Sequence, residues 1–198
     1  MTNEAEALPH RTQAQRRAET RGLLLNAARE LFLSKGYDQT GMPEIVKKVG
    51  LTRGALYHHF DSKADLFKAV AETEAQSIGH AIGLATKDVA DPDEAMAVGT
   101  NAYFDAMAAP GRAEILLVLA PAIMGPEAAE KLTASEGRAE LRAGLSQAMP
   151  KLKAAELDAL TDILSAAYDR AALQIAEGGN KDTYTAALSL VVRKLLAA

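Results

Sequence analysis

The chain has 198 residues, 48% hydrophobic and 24% charged, with 14 Gly, 7 Pro and no Cys. This composition folds, at a length of one to one and a half domains of about 100–150 residues each. Without cysteine, a disulfide framework, a thiolate zinc site, an iron–sulfur cluster and a cysteine nucleophile are excluded, and the formal charge of −4, taken whole, argues against a polyanionic partner.

Helical periodicity runs almost throughout. The first ten residues carry two Glu and no apolar stretch, which does not suit a secretory leader. Leu24, Ala27, Ala28, Leu31 and Phe32 mark an amphipathic stripe, so a first helix is expected from Thr12 or later to Ser34, stopped at Gly36. A second begins near Pro43, a residue suited to a first turn, buries Ile45 and Val49, and ends at Gly50. Thr52 is placed to cap a third, with Leu56 and Phe60 at i, i+4. Asp61 or Ser62 caps a fourth, which opens with Lys63, Leu66, Phe67 and Val70 and extends to about Thr86. Breaks at Asp91-Pro92, Pro110-Gly111, Gly125-Pro126, Met149-Pro150 and from Glu177 to Asn180 divide residues 64–198, the fourth helix included, into about six helical segments. Strict alternation of apolar and polar residues is nowhere sustained, so the fold class is all-α. The longest apolar run, Ile115 to Met124, is ten residues and contains Pro121, against roughly 20 for a membrane span. The expectation is a cytoplasmic protein without a membrane partner.

Position changes the meaning of the charge. Residues 9–63 hold ten Lys/Arg and five Asp/Glu, a balance of +5, whereas residues 64–198 hold twelve and nineteen, a balance of −7. A basic head on an acidic body points to a nucleic-acid-binding module with something else attached.

Residues 43–60, PEIVKKVGLTRGALYHHF, read as a helix-turn-helix: a short helix, a Gly-centred turn and a second helix opening on a Thr cap. Gly50 supplies the left-handed residue of the turn, and Leu51 tucks between the helices. Burying Ile45, Val49, Leu56 and Phe60 leaves Thr52, Arg53, Gly54, Ala55, Tyr57, His58 and His59 facing outward. The N-terminal residues of such a second helix enter the DNA major groove. There Arg53 can pair bidentately with guanine, worth about 1–3 kcal/mol of discrimination. Gly54 and Ala55 keep that end slim, Thr52 can bond a phosphate, and Tyr57 can reach a phosphate or a thymine methyl. Thr40 and Lys63, near the starts of neighbouring helices, are candidate phosphate clamps. The same corner also serves a purely structural joint. A metal site at His58-His59 is disfavoured, because adjacent helical residues diverge by about 100° and two histidines alone fall short of a ligand set. His80 and His10 read as solvated. Ahead of the first helix, His10, Arg11, Arg16 and Arg17 form a basic arm that either lies on DNA or extends that helix into solvent.

Residues 21–70 resemble the DNA-binding domain of the tetracycline-repressor (TetR) family of transcriptional regulators. The resemblance rests on AARELF, then GYDQT, then EIVKKVGLTRGALYHHF, then DSKADLF, in register over about fifty residues. It implies a three-helix DNA-binding domain, a C-terminal all-α regulatory domain, and a homodimer that binds a palindromic double-stranded DNA operator, usually as a repressor released by a small-molecule effector. Matched residue by residue, the family's phosphate contacts fall on Thr40, Tyr57, His59 and Lys63, and its base-reading positions on Arg53, Ala55 and His58. One departure is Gly41, which stands where the family usually caps the second helix with Ser or Thr and offers no hydroxyl. Thr40 is the remaining local hydroxyl.

Residues 154–198 read as two long helices joined at Gly178-Gly179-Asn180. On their apolar arcs, Leu164, Ala167, Ala171, Leu188, Val191, Val192 and Leu195 are candidates for an isologous four-helix dimer interface, the plain alternative being ordinary core. Met96, Tyr103, Phe104 and Met107 on one helix, and Leu116, Leu119, Ile123 and Met124 on another, are candidates for the wall of an apolar ligand site, with Tyr168 as a polar anchor; at helical spacing they also suit plain packing. Residues 114–125, EILLVLAPAIMG, resemble a segment found in one branch of the family and imply a helix bent at Pro121. The domain division is expected after residue 62, with the basic arm and DNA-binding domain before it and the regulatory domain after it. No Ser/His/Asp constellation, metal-ligand spacing or Gly-rich phosphate loop is present, so neither enzymatic activity nor a cofactor is expected. A helical carrier or interaction protein without operator binding, and an activator on the same scaffold, are the other readings of these features.

Overall fold

The computed structural model describes residues 12–134 and 137–197. The chain divides into two compact units, one ending at Phe67 and one beginning at Lys68. The division lies about one helical turn later than the sequence suggests, because Leu66 and Phe67, both 0% exposed, bury with the first unit.

The first unit contains α1 (Gln13–Lys35), α2 (Met42–Val49), α3 (Arg53–Tyr57) and the opening turn of α4 (Lys63–Thr86). Thr12 starts α1 with a capping box: its hydroxyl accepts the Gln15 N–H at 3.2 Å, and the Gln15 side chain accepts the Thr12 N–H at 2.8 Å. The helix buries Leu24, Leu25, Ala27, Ala28, Leu31 and Phe32 along one face. Phe32, Tyr37 and Phe67 meet as a ring triad with centroids 5.4–5.5 Å apart, each pair adding about 0.5–1.5 kcal/mol beyond its buried area.

Helix α2 buries Ile45 and Val46. Val49, expected inside, is only half-buried, because it sits in the last turn beside the Gly50 corner; Leu51 is likewise half-buried. Helix α3 ends at Tyr57 and does not continue to Phe60. The N–H groups of His59 and Phe60 both turn back to the Leu56 carbonyl, at 2.9 and 3.0 Å, and this tighter turn still delivers Phe60 to the core. Ser62 caps α4, its hydroxyl accepting the Asp65 N–H at 3.1 Å.

The second unit holds the rest of α4 with α5 (Pro92–Met107), a π-helical turn (Glu114–Leu119) that runs into α6 (Ala120–Met124), α7 (Pro126–Ala134), α8 (Gly137–Ala148), α9 (Ala154–Ala176) and α10 (Lys181–Leu196). Asp91 caps α5 through the Glu94 N–H at 2.8 Å. The irregularity expected at Pro121 takes the form of the π turn, in which the Ala120 N–H reaches back to the Ile115 carbonyl. Proline has no N–H to give the preceding turn and its ring crowds the carbonyl there; widening the turn just upstream accommodates both. Among the described residues there is no strand, and no helix is long and apolar enough to cross a membrane.

An enclosed ion pair ties α4 to the connection after α5. Arg112 Nε donates to Glu74 Oε2 at 2.6 Å and Arg112 Nη1 to the Ala106 carbonyl at 2.6 Å, with side chains 15% and 9% exposed for Arg112 and Glu74. Removing one partner leaves a charge in a poorly hydrated site, which costs about 3–5 kcal/mol. Arg112→Ala is therefore expected to lower the thermal midpoint by roughly 10 °C, measured by circular dichroism. The double variant Arg112→Met, Glu74→Met is expected to recover most of that loss.

Candidate nucleic-acid interface and ligand cavity

The outward face of α3 follows from how the helix is held. Gly50 turns the chain with φ +69°, a left-handed conformation costly for any residue with a Cβ, and the Leu51 N–H closes the corner on the Val46 carbonyl at 3.0 Å. Thr52 then caps α3 by accepting the Ala55 N–H at 3.2 Å. With Leu56 fully buried, the residues Thr52, Arg53, Gly54, Tyr57 and His58 are exposed, and Ala55 and His59 are half-buried. Among the described residues Arg53 has no ion-pair partner, so its guanidinium is available to a ligand. Arg16, Arg17 and Arg21 project from the exposed N-terminal half of α1, Arg21 lying 5.4 Å above the Phe60 ring. Burial, followed by the charges of Arg17, His58 and Arg21, holds His59 below the usual imidazole range. Arg16 and Arg17 of the expected arm thus belong to α1, whereas His10 and Arg11 lie outside the described residues.

Two expected phosphate clamps are committed elsewhere. Thr40 is 1% exposed, and its hydroxyl hydrogen is shared between the carbonyls of Gly36 at 2.9 Å and Leu31 at 3.1 Å. The C-terminal carbonyls of α1 need donors, and this threonine supplies one from inside the fold, so its hydroxyl does not face a phosphate. Lys63 Nζ donates to the carbonyls of Tyr37 at 2.9 Å and Thr40 at 3.2 Å and lies 4.2 Å from the centre of the Tyr37 ring. Two of its three donors hold the α1–α2 connection, leaving one. Gly41 caps α2 without a side-chain bond, and Glu44 pairs with Lys35. Among the described residues no cluster of three His, Asp or Glu is arranged around a metal position.

Within the second unit a cavity of about 490 Å³ is walled by α4, α5, the π turn, α8 and α9. Of the expected ligand residues, Met96, Tyr103, Met107, Leu116 and Tyr168 line it. Phe104 does not; it is 1% exposed and packs its ring against Tyr103 and Tyr168, at 5.3 and 5.7 Å. Leu119, Ile123 and Met124 also lie off the wall, since the wide turn presents Leu116 and Leu117 and carries the residues beyond them away. Two polar pairs enter the cavity. Thr100 donates to the Met96 carbonyl at 2.8 Å, which makes Tyr168 the donor in the 2.5 Å contact between the two hydroxyls. Tyr103 donates to Asp169 Oδ1 at 2.8 Å. Burial pushes the Tyr103 phenol well up and raises the Asp169 carboxyl, the latter partly offset by the Tyr103 hydrogen bond.

The expected dimer residues separate into two groups. Leu164, Ala171, Leu188 and Val192 are buried in the chain's own core, because α9 and α10 turn their most regular apolar stripe inward. Val191 is exposed, and Ala167 and Leu195 are half-buried. Ile163, and Leu190 on the broad apolar arc of the last helix, are 67% and 52% exposed on the same two helices.

Two family models match the chain: "Bacterial regulatory proteins, tetR family" over residues 24–70 and "Tetracyclin repressor-like, C-terminal domain" over residues 93–198. The chain belongs to the TetR family. Among TetR-family relatives, the chain is 35% identical over 89 residues to the HTH-type transcriptional activator FasR of Mycolicibacterium smegmatis, covering 45% of this chain and 41% of that one. It is 45% identical over 60 residues to the HTH-type transcriptional repressor BepR of Brucella suis, covering 30% and 28%. The matched stretch thus spans less than half of either relative. A crystal structure of a TetR-family transcriptional regulator from Pectobacterium atrosepticum superposes with a TM-score of 0.65 at 28% identity, over 94% of this chain and 96% of that one.

Reading the sequence missed Thr100 and Asp169, and with them the α4 and α8 walls, including Ile78, Ile82 and Leu141. Thr100 carried a weak signal, a lone hydroxyl one turn from both Met96 and Tyr103; Asp169 carried none, since its partner lies 66 residues away. The Thr40 assignment has a direct check. Thr40→Val is expected to cost about 1–3 kcal/mol of stability through unpaired carbonyls while leaving the DNA affinity of the folded fraction unchanged, as read by denaturant unfolding beside fluorescence anisotropy.

Proposed function

We propose that the chain is a ligand-responsive transcriptional repressor that binds a two-fold symmetric operator as a homodimer and leaves it when a small, largely apolar effector fills the cavity. The observation that carries this reading is the exposed first turn of α3, where an uncommitted Arg53 stands beside a slim Gly54 at a positive helix N-terminus. That is the arrangement by which a recognition helix enters the major groove. The exposed Ile163, Leu190 and Val191 on α9 and α10 support an isologous pairing of two chains.

Helix α4 supports the coupling. It is continuous from Lys63, in the DNA-reading unit, to Ile82 and Thr86 in the cavity wall, and its 24 residues extend about 36 Å at 1.5 Å per residue. An effector that needs room against Ile78 and Ile82 displaces α4, and with it the spacing of two recognition helices that must match a DNA repeat of about 34–36 Å. This works only if the effector prefers the displaced arrangement. Activation is the second reading, prompted by the activator name of the FasR relative; a promoter–reporter fusion assayed with and without the gene separates the two.

Fluorescence anisotropy with duplexes from DNA flanking the gene is expected to give an affinity that falls linearly with salt on logarithmic axes. Arg53→Ala should cut discrimination between specific and scrambled duplexes by about 5–100-fold. Absence of both sequence preference and salt dependence would refute operator binding. A second check uses His59. It is held below its usual range in the free protein, and a phosphate beside it would raise it, so the complex binds more protons than the separate partners. Affinity is then expected to rise as pH falls from 7 towards 5.5, by at most about tenfold per pH unit, and His59→Gln should flatten that dependence.

A further inference from the structure

The polar character of the cavity is lopsided. Its wall carries a half-buried carboxylate, Asp169, that among the described residues accepts a single hydrogen bond, from Tyr103 to Oδ1. No Lys, Arg or His among the described residues pairs with it, and Oδ2 takes no hydrogen bond. The other charged residues on the wall are engaged or in water. Arg138 Nε is held by Asp162 at 2.8 Å, Lys87 lies 3.7 Å from Asp88 with its side chain 59% exposed, and Glu140 is exposed. The Thr100 hydroxyl spends its hydrogen on the Met96 carbonyl, and the Tyr168 hydroxyl spends its own on Thr100. A half-buried carboxylate with one neutral donor and no counter-charge is harder to keep ionised than one in open water, and burial raises its carboxyl accordingly. A ligand bringing N–H donors with positive charge removes that cost. A ligand ending in a carboxylate or phosphate adds like charge to it. Around this group the walls are Met96, Met107, Leu116 and the two tyrosine rings, whose faces also attract a cation. The volume of about 490 Å³ is that of a drug-sized site.

We propose that the effector is an apolar molecule carrying a protonated nitrogen, an amine or amidine, whose N–H groups are received by Asp169 while its hydrocarbon body lies between α4, α5 and α8. This deepens the preceding reading and rests on it, since it takes the cavity to be the effector site. Asp169 is then the residue that selects cations over neutral or acidic molecules of the same shape.

The test is isothermal titration of the full chain at pH 7 with three probes sharing one hydrocarbon skeleton, decylamine, 1-decanol and decanoate, each kept below its micelle threshold. Decylamine is expected to bind at least about tenfold more tightly than decanol, the scale of one charge-assisted hydrogen bond, and decanoate the most weakly. Asp169→Asn, which keeps the shape and removes the charge, is expected to bring amine and alcohol within about twofold of each other without weakening the alcohol; its unfolding midpoint verifies that it folds. Tyr103→Phe, which frees the carboxylate from the Tyr103 hydrogen bond, should preserve or enlarge the amine preference. An amine preference that survives Asp169→Asn, or decanol or decanoate binding as tightly as the amine, overturns the assignment. In those cases loss of decanol binding in Ile78→Trp, which fills the cavity, would show that the effector-site reading still stands. Failure of all three probes to bind overturns both.

Discussion

The DNA-reading unit depends on the burial of Leu56 and Phe60. A helix of five residues is far below the length that holds its shape alone in water, so α3 exists only because its neighbours fix it. Leu56, 0% exposed, is the single core residue within the helix, and Phe60, 6% exposed, anchors the turn that follows. Each helical position is rotated about 100° from the one before it, so once Leu56 points inward the directions of Arg53, Tyr57 and His58 are no longer free. The Gly50 corner and the Thr52 cap start the helix on that heading, and Arg21 over Phe60 covers the anchor from outside. Recognition chemistry is exposed here because packing leaves it no other side.

That unit was legible in the sequence because its signals are local. A glycine followed two residues later by a capping threonine and six residues later by a leucine describes the corner, the cap and the inward face within one short window. The same local rules located α1, the start of α5 at Asp91-Pro92 and the joint between α9 and α10. The formal charge of −4 misled only as an average; divided by position, it separates a basic reader from an acidic body.

What was not legible depends on pairings across the fold. Thr40 reads as an exposed loop hydroxyl until the carbonyls at the end of α1 claim it, and Lys63 reads as a free cation until the same loop takes two of its donors. The apolar residues of α9 and α10 have the same spacing whether they face the chain's own core or a second chain. Leu164 and Val191 are separated by burial, not by pattern. The π turn is a further case: Pro121 announces that a helix must deform, but not that the deformation falls upstream and decides which leucines reach the cavity.

The Arg112–Glu74 joint limits how this sequence can drift. The guanidinium meets two acceptors in different directions, a carboxylate on α4 and the Ala106 carbonyl at the end of α5. A lysine replaces the two separate guanidinium nitrogens that reach these acceptors with one nitrogen on a differently shaped stem, so the substitution usually counted as conservative is not conservative here. Loss of the carboxylate is likewise costly while the arginine remains, since it strands a charge in a dry place. Substitutions in this joint are therefore accessible as a coupled pair but not singly, and lineages descending from this chain should carry either both residues or neither.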